Sequence, residues 1–410
     1  MGDIRPGIRR EPPTDLRGVG EDADLLARIR AEIRSSGPMP FARFMDLALY
    51  DPDGGYYRAT EARPGRGGDF LTAPELHPIF GEMLARGIVE IWERLGRPAP
   101  FVIREHGAGE GALAVSILRE MDGTPLGRAL RYQAVEVDPR RIAVLRERLA
   151  TVGLANHLED ASDTRFDGIV LANEVVDALP VHRVRQRGDD LRELAVGLGA
   201  DDVLIETEIA PTTPALAARL RADGVALVDG QTAEICLALD DWIGGAARPL
   251  RRGVLLVIDY GAPAAELYDP VRRRDGTLRA YVRHQVHDDP YRHVGRQDLT
   301  AHVDVTAVEH AAQAAGLTTV GITTQAEALM GLGIQDRLQA VQADPSTTFE
   351  GYALLRSSLL RLLDPAAMGR FRVMAFGRGW PATPSQTPLG LFAFQLPTRT
   401  RASDPTTASD

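Results

Sequence analysis

The segment Phe101-Val-Ile-Arg-Glu105-His-Gly107-Ala-Gly109-Glu-Gly111-Ala-Leu constrains the fold more than any other part of the chain. An apolar run of strand length ends in an acid, and glycines at alternate positions then lead into a helical stretch over 112–120. Alternating glycine lets the backbone turn sharply and approach a ligand with no Cβ in the way. The helix that follows presents free N–H groups to whatever lies at the turn. A dinucleotide site would read G-x-G-x-x-G; the spacing here is G-x-G-x-G, with an acid two residues before the first glycine.

A second apolar run, 131–136, ends in Glu136, where a carboxylate can take the two hydroxyls of a ribose. Alone, the glycines could simply make a tight strand–helix turn, and Glu136 could be a solvated strand end. Acid, glycine turn and second acid in this order favour a nucleoside-type cofactor. The departure from the pyrophosphate spacing suits S-adenosylmethionine (SAM), whose cationic amino end benefits from Glu105 and which needs no phosphate cradle.

Around this unit the chain alternates short apolar runs with helical stretches, the pattern of a parallel α/β sheet. Strands are predicted over 101–105, 131–136, 168–173 and 254–259, with 318–323 and 370–376 as an antiparallel edge. Residues 1–21 read as a flexible arm and 22–99 as a helical region with a Gly/Asp-rich loop over 51–72. Residues 100–180 form the cofactor half and 181–250 an insertion with hairpin-like pieces. Residues 251–380 complete the sheet, interrupted by a polar, lid-like insertion over 262–310. The tail, 381–410, is Pro/Ser/Thr-rich, and 389–396 could add a terminal strand.

Composition removes several chemistries. The 47 basic residues are all arginine, against 57 acids, for a net charge of −10. Without lysine there is no Schiff base, no pyridoxal-phosphate attachment and no Walker P-loop. One cysteine, Cys236, excludes a disulfide framework and any Cys-based metal site. The acidic balance argues against a broad nucleic-acid groove. No run approaches a membrane span and the N-terminus carries no apolar signal core, so a cytoplasmic location is expected.

Other constellations are weighed residue by residue. Asn173 and Glu174 end the strand over 168–173, at the same carboxyl edge as the glycine turn, where a donor would meet an acceptor. Asn173 could also cap a short helix, and Asp177 fits that helix's first turn as well as a site. The residues of 66–75 by themselves describe a turn and a helix start at Pro74. His284, His287, His293, His302 and His310 have poor spacing for zinc, so no metal is expected and a polar lid is favoured. Thr306–Glu309 reads as a capping box; Trp242, and Tyr281 beside Arg279 and Arg283, could be recognition aromatics, with half-buried packing favoured.

The runs GPMPFARFMDLALYDPDGGYY, GGDFLTAPELHPIFGE, EHGAGEGAL, NEVVDALPV, IDYG, GTLRAYVRH, RQDLTAHVDV and MGRFRVM occur in this order. Together they resemble the MidA-like SAM-dependent methyltransferases, relatives of a mitochondrial complex I assembly factor. The resemblance covers about 25–377. It implies a class I, Rossmann-like methyltransferase fold: a seven-stranded, mostly parallel sheet with a helical N-terminal region and insertions forming a substrate lobe. It implies SAM held by Glu105, Gly107, Ala108, Gly109, Gly111 and Glu136, with Asn173, Gly68 and Thr72 close by. Glu174, with Asp177 or Asp69, is expected to hold the acceptor.

The activity so implied is methylation of a protein arginine ω-nitrogen, the protein being of respiratory-complex-subunit type, with no nucleic acid and an oligomer allowed. A small-molecule O- or N-methyltransferase and an assembly chaperone that uses SAM structurally are the alternatives. The sequence departs from the family pattern at Ala108 and Glu110, where Pro and a basic residue are usual, and at Val175 and Val176, where two Phe are usual.

Overall fold

The computed structural model describes residues 16–58, 72–283, 285–381 and 388–395. Gly68, Asp69, His284, most of the 1–21 arm and most of the tail lie outside them.

Its centre is a seven-stranded sheet built from β1 (Phe101–His106), β2 (Leu130–Val135), β3 (Leu158–Glu159), β4 (Phe166–Asn173), β5 (Leu250–Asp259), β6 (Thr318–Thr324) and β7 (Arg372–Arg378). The order across the sheet is β6-β7-β5-β4-β1-β2-β3. β7 runs antiparallel to both neighbours and every other pairing is parallel. The expected strands are all present, with ends shifted by a few residues. Chain order reverses between β1 and β4, the crevice where open α/β sheets bind ligands beyond their carboxyl ends.

Helices cover both faces. The helices Ile79–Arg94, Ala112–Met121 and Pro139–Thr151 lie with one face of the sheet in a large apolar core that includes Phe80, Ile88, Phe101, Ile117, Leu145 and Leu171. The other face packs against Leu239–Ala247 and Val305–Ala314. Segment 389–395 adds no strand among its described residues: Gly390–Phe392 is a 3-10 turn that buries Leu389 and Leu391 in the first core. Helix Val305–Ala314 is capped by Asp304, which accepts from the amides of Thr306 and Ala307. The Thr306 hydroxyl instead accepts from the Ala264 amide, so the expected capping box does not form.

A second lobe is assembled from three separated parts of the chain. His182–Arg187, Asp190–Leu198, Leu204–Ile209 and Thr232–Ile235 form an antiparallel sheet to which Met39–Pro40 adds a short edge. Arg279–Val282, Gln285–His287 and Asp298–Thr300 form another. The apolar stripes of helices Ala23–Ser36 and Phe41–Tyr50 (Leu25, Ile29, Phe41, Phe44, Met45) join Val196, Ala280, Val294 and Leu299 in one core. The 262–310 tract therefore contributes buried side chains as well as polar ones. Among the described residues no helix is long and apolar enough to cross a membrane.

Candidate functional site

The site lies between the two lobes, in a cavity of about 240 Å3 at the carboxyl ends of β1, β2 and β4. At one end is the glycine turn. Gly107, Gly109 and Gly111 hold φ of 66°, 54° and 81°, the left-handed region that other residues avoid. A Cβ on Gly107 would stand 2.6 Å from Val175 Cγ2, so a side chain there would push into the loop after β4. Ala108, buried beside the turn, also lines the cavity.

Glu105, near the end of β1, is 3% exposed and accepts a 2.6 Å hydrogen bond from the buried Tyr132 hydroxyl on β2. Burial pushes its carboxyl up to about 7. Glu136, one residue past β2, accepts from the Gly109 amide at 2.5 Å and from the Val137 amide at 3.2 Å. Burial raises its pKa too, against the pull of those two amides. The same carboxylate that the sequence assigned to a ribose thus also braces the glycine turn.

At the other end, β4 runs out into Asn173 and Glu174. Glu174 has a left-handed backbone, φ 54°, rare for a residue with a side chain. Asp259 at the end of β5 supports that bend: its carboxylate accepts from the amides of Val175, Val176 and Asp177 at 3.2, 2.9 and 3.2 Å. The Glu174 carboxylate accepts from Asn173 Nδ2 at 3.1 Å and from the Ala73 amide at 3.2 Å. Thr72 begins the helical turn Ala73–Leu76 and donates through its amide and hydroxyl to Glu75. Segment 72–75 therefore meets the β4 edge, although Gly68 and Asp69 fall outside the described residues.

Acids crowd this end. Burial and the neighbouring Asp177 push the Glu174 carboxyl up to about 8. Burial pushes Asp177 up to about 6 despite the Tyr260 hydroxyl that donates to it. Asp259, fully buried, is raised well above the usual carboxylate range by burial and then by Asp177 and Glu174. Asp177 Oδ1 and Asn173 Oδ1 are buried and have no hydrogen-bond partner. Aromatic rings from the second lobe and its neighbours close the cavity. Tyr50 and Tyr57 stack at 5.5 Å, and Trp242 stands edge-on to His106 at 5.7 Å.

Sequence reasoning missed Tyr132, Asp259 and Tyr260, and read Trp242 as packing, whereas it lines the cavity. The available signal was position: Asp259 ends a central strand at the same edge as Glu105 and Asn173. Among the described residues the histidines do not converge with other metal-ligating side chains. His287 and His293 rings are 6.1 Å apart, His302 packs on Tyr260, and His310 pairs with Asp223.

The residues fit SAM: a buried carboxylate, Glu105, and a half-buried one, Glu136, for its ammonium and ribose, and a glycine turn where a Cβ at Gly107 or Gly111 would crowd a neighbour. The sequence matches the family of S-adenosyl-L-methionine-dependent methyltransferases over residues 83–323. The chain belongs to that family. SAM is its cofactor. A Burkholderia thailandensis protein crystallised with S-adenosyl-homocysteine is 34% identical, with a TM-score of 0.82 over 90% of this chain and 94% of that one.

Among curated relatives, the protein arginine methyltransferase NDUFAF7 homolog, mitochondrial, of Drosophila melanogaster is 28% identical over 90% of this chain and 89% of its own length. Protein arginine methyltransferase NDUFAF7, mitochondrial, of Homo sapiens is 27% identical over 86% and 82%. The expected cytoplasmic location is corrected by these relatives, which are named as mitochondrial.

Proposed function

We propose that this chain methylates an arginine ω-nitrogen on a protein acceptor. The carrying observation is the group of acids at the β4 edge, where Glu174 lines the cavity, Asp177 and Asp259 lie buried behind it, and all three have raised carboxyl pKa values. Such a site is relieved by a cation, and a guanidinium keeps its charge at any working pH. The activity in the relatives' names supports the same reading, and the family resemblance points to a respiratory-complex-type subunit as acceptor. The relatives' mitochondrial setting is the location carried over with it.

Bound SAM supplies a methyl group on a sulfonium, open to in-line displacement. The chain's part is alignment and exclusion of water. Glu174 holds the planar N–H fork of the guanidinium, and Asp177, steadied by the Tyr260 hydroxyl, takes a further N–H. Arrival of the cation favours the Glu174 carboxylate. As the nitrogen gains a methyl group it loses one N–H proton, and Glu174, with its carboxyl near 8 in the absence of a cation, is the group to accept it. Tyr50, Tyr57 and Trp242 keep bulk water from the reacting nitrogen.

Incubation with methyl-labelled SAM and a lysate of soluble proteins tests this reading. Label on an arginine of another protein is the expected result, lost in Glu174→Gln. Label in the small-molecule filtrate makes the chain a metabolite methyltransferase, and SAM binding with no transfer at all overturns methylation as its role. The enzyme's own arginines need mapping in the same experiment.

A further inference from the structure

The chain carries more acids than bases, yet beside the acceptor end a group of arginines gathers with little counter-charge. Arg273 and Arg279 belong to the 262–310 tract. Arg279 pairs in the ladder with Thr300, two residues before His302, and the His302 amide donates to Thr277 Oγ1 at 3.1 Å. Arg370 precedes Phe371, whose ring lies 5.4 Å from the Tyr260 ring, which in turn lies 5.3 Å from His302. All three guanidiniums lie within electrostatic reach of His302. After burial they are what lowers the His302 pKa, to about 3, and Arg370 and Arg279 likewise lower that of Arg273.

Little in the chain answers that charge. Arg279 makes a 3.3 Å ion pair with Asp288, whose side chain is 83% exposed. Among the described residues, neither Arg273 nor Arg370 makes a side-chain hydrogen bond or ion pair. Glu234, the acid within electrostatic reach of Arg273, is already engaged: it accepts from the Thr277 amide at 2.6 Å and hydroxyl at 3.1 Å, and pairs with Arg183. Like charges assembled without a partner repel one another, and an external anion removes that repulsion.

The position of the cluster says what kind of anion. Tyr260 is a shared wall: its hydroxyl donates to Asp177, and its ring packs on His302 and Phe371. After burial, Tyr281 feels the charges of Asp177 and Asp298 and, opposing them, those of Arg279 and Arg370. Tyr260, with the His302 and Phe371 rings packed on it, thus links the acids that suit a guanidinium to the neighbourhood of arginines that suit carboxylates. A long polyanion would be repelled by the acids and by the net charge of −10. A short polypeptide stretch with a cation next to acids matches both patches.

We propose that Arg273, Arg279 and Arg370 form a docking surface for Asp and Glu residues flanking the arginine that the protein acceptor presents to Glu174 and Asp177. The proposal rests on the arginine-methyltransferase reading and adds the acceptor's local sequence chemistry to it. Such pairing fixes register and accelerates encounter more than it adds raw affinity.

The test uses two fluorescein-labelled peptides, each with one arginine, flanked in one by Asp and Glu and in its twin by Asn and Gln. Binding is read by fluorescence anisotropy on the full chain loaded with S-adenosyl-homocysteine. The acidic peptide is expected to bind about tenfold tighter than its twin at low salt, with the advantage shrinking as salt rises. Arg273→Gln/Arg370→Gln should abolish that advantage and leave the twin's binding unchanged. Should the double variant fail to fold, Arg370→Gln alone, at an exposed residue, is expected to reduce the advantage severalfold.

Equal binding of the twins to the wild type, or an advantage that survives in the variants, overturns the docking surface. So does tighter binding of a single-stranded RNA oligonucleotide, which would assign the cluster to a polyanion. With labelled SAM, the difference should appear in KM rather than kcat. Preferential binding of the acidic peptide with no label transferred would leave the docking surface standing and remove the arginine-methylation reading, so the two failures are separable.

Discussion

The two ends of the cavity treat buried carboxylates in opposite ways. At the glycine turn each acid has its own donor in the chain: Tyr132 for Glu105 and the Gly109 amide for Glu136. Those donors orient the acids and leave each with capacity for a ligand. At the β4 edge, Glu174, Asp177 and Asp259 crowd together, and the donors they receive are amides, an Asn side chain and one tyrosine hydroxyl, none of them a cation. The first end is satisfied within the fold and shaped for a nucleoside. The second holds acids that burial and mutual repulsion push toward the protonated form for want of a counter-charge, and a cation from outside would favour their carboxylates.

The largest effect that would break this comparison is on Glu174. Glu174→Gln keeps the side chain's shape and removes its charge, so methyl transfer should fall by about 10²-fold or more, within the range for a group that handles a proton in catalysis. SAM affinity, measured by calorimetry, should stay within about twofold. A parallel loss of SAM affinity would mean that the two ends are one electrostatic unit.

Next in size is Gly107→Ala. The backbone strain of a side chain at φ 66° and the contact with Val175 are together worth about 1–3 kcal/mol. SAM affinity should fall by about tenfold or more, while the apolar cores far from the turn keep their protection from hydrogen exchange.

pH separates the ends without mutation. The carboxylate of Glu105 is the form that attracts an ammonium, and its carboxyl is raised to about 7. SAM affinity should therefore rise with pH and level off above about 7. In Glu105→Gln it should be weaker by about tenfold and flat across that window. The free-enzyme kcat/KM for the acceptor depends on Glu174 as well, so it should keep rising toward pH 8 before levelling. Coincident profiles for SAM binding and kcat/KM would erase the distinction.

The smallest effect concerns the support beneath the acceptor end. Asp259→Asn keeps a carbonyl for the three loop amides but turns an NH2 toward the Tyr260 amide, from which Asp259 Oδ1 accepts, which should cost about 1–2 kcal/mol of stability, a shift of a few degrees in melting temperature. Because those amides hold the Glu174 bend, transfer should drop more than SAM binding.

Much of the central sheet was legible in the chain. The apolar runs around 101–106, 166–173 and 250–259 are buried on both faces and read as strands by themselves, and their turn chemistry announces where they end. The glycine turn, Glu105, Glu136, Asn173 and Glu174 could be named because each sits at a strand's carboxyl end. Asp259 and Tyr260 share that position and fall in the short IDYG run, but nothing in that run says what they touch, and their partners appear only when β5 lies beside β4. The 262–310 tract read as too polar for core because its buried residues, Leu278, Ala280, Val294 and Leu299, are dispersed among arginines, histidines and tyrosines. Its apolar partners lie more than two hundred residues away, in the first two helices.

The sequence by itself determined the chemistry available: no lysine, one cysteine, a glycine turn flanked by acids, and a strand order suited to a nucleoside cofactor. These follow from residue types and short spacings, where physical consequence is local. Only the tertiary structure decided which acids share a field, that three distant segments build one second lobe, and that arginines from 273 to 370 come within electrostatic reach of the same histidine. Burial and electrostatic coupling depend on distance in space, and a chain of alternating strands and helices brings together at one sheet edge residues that its order keeps far apart.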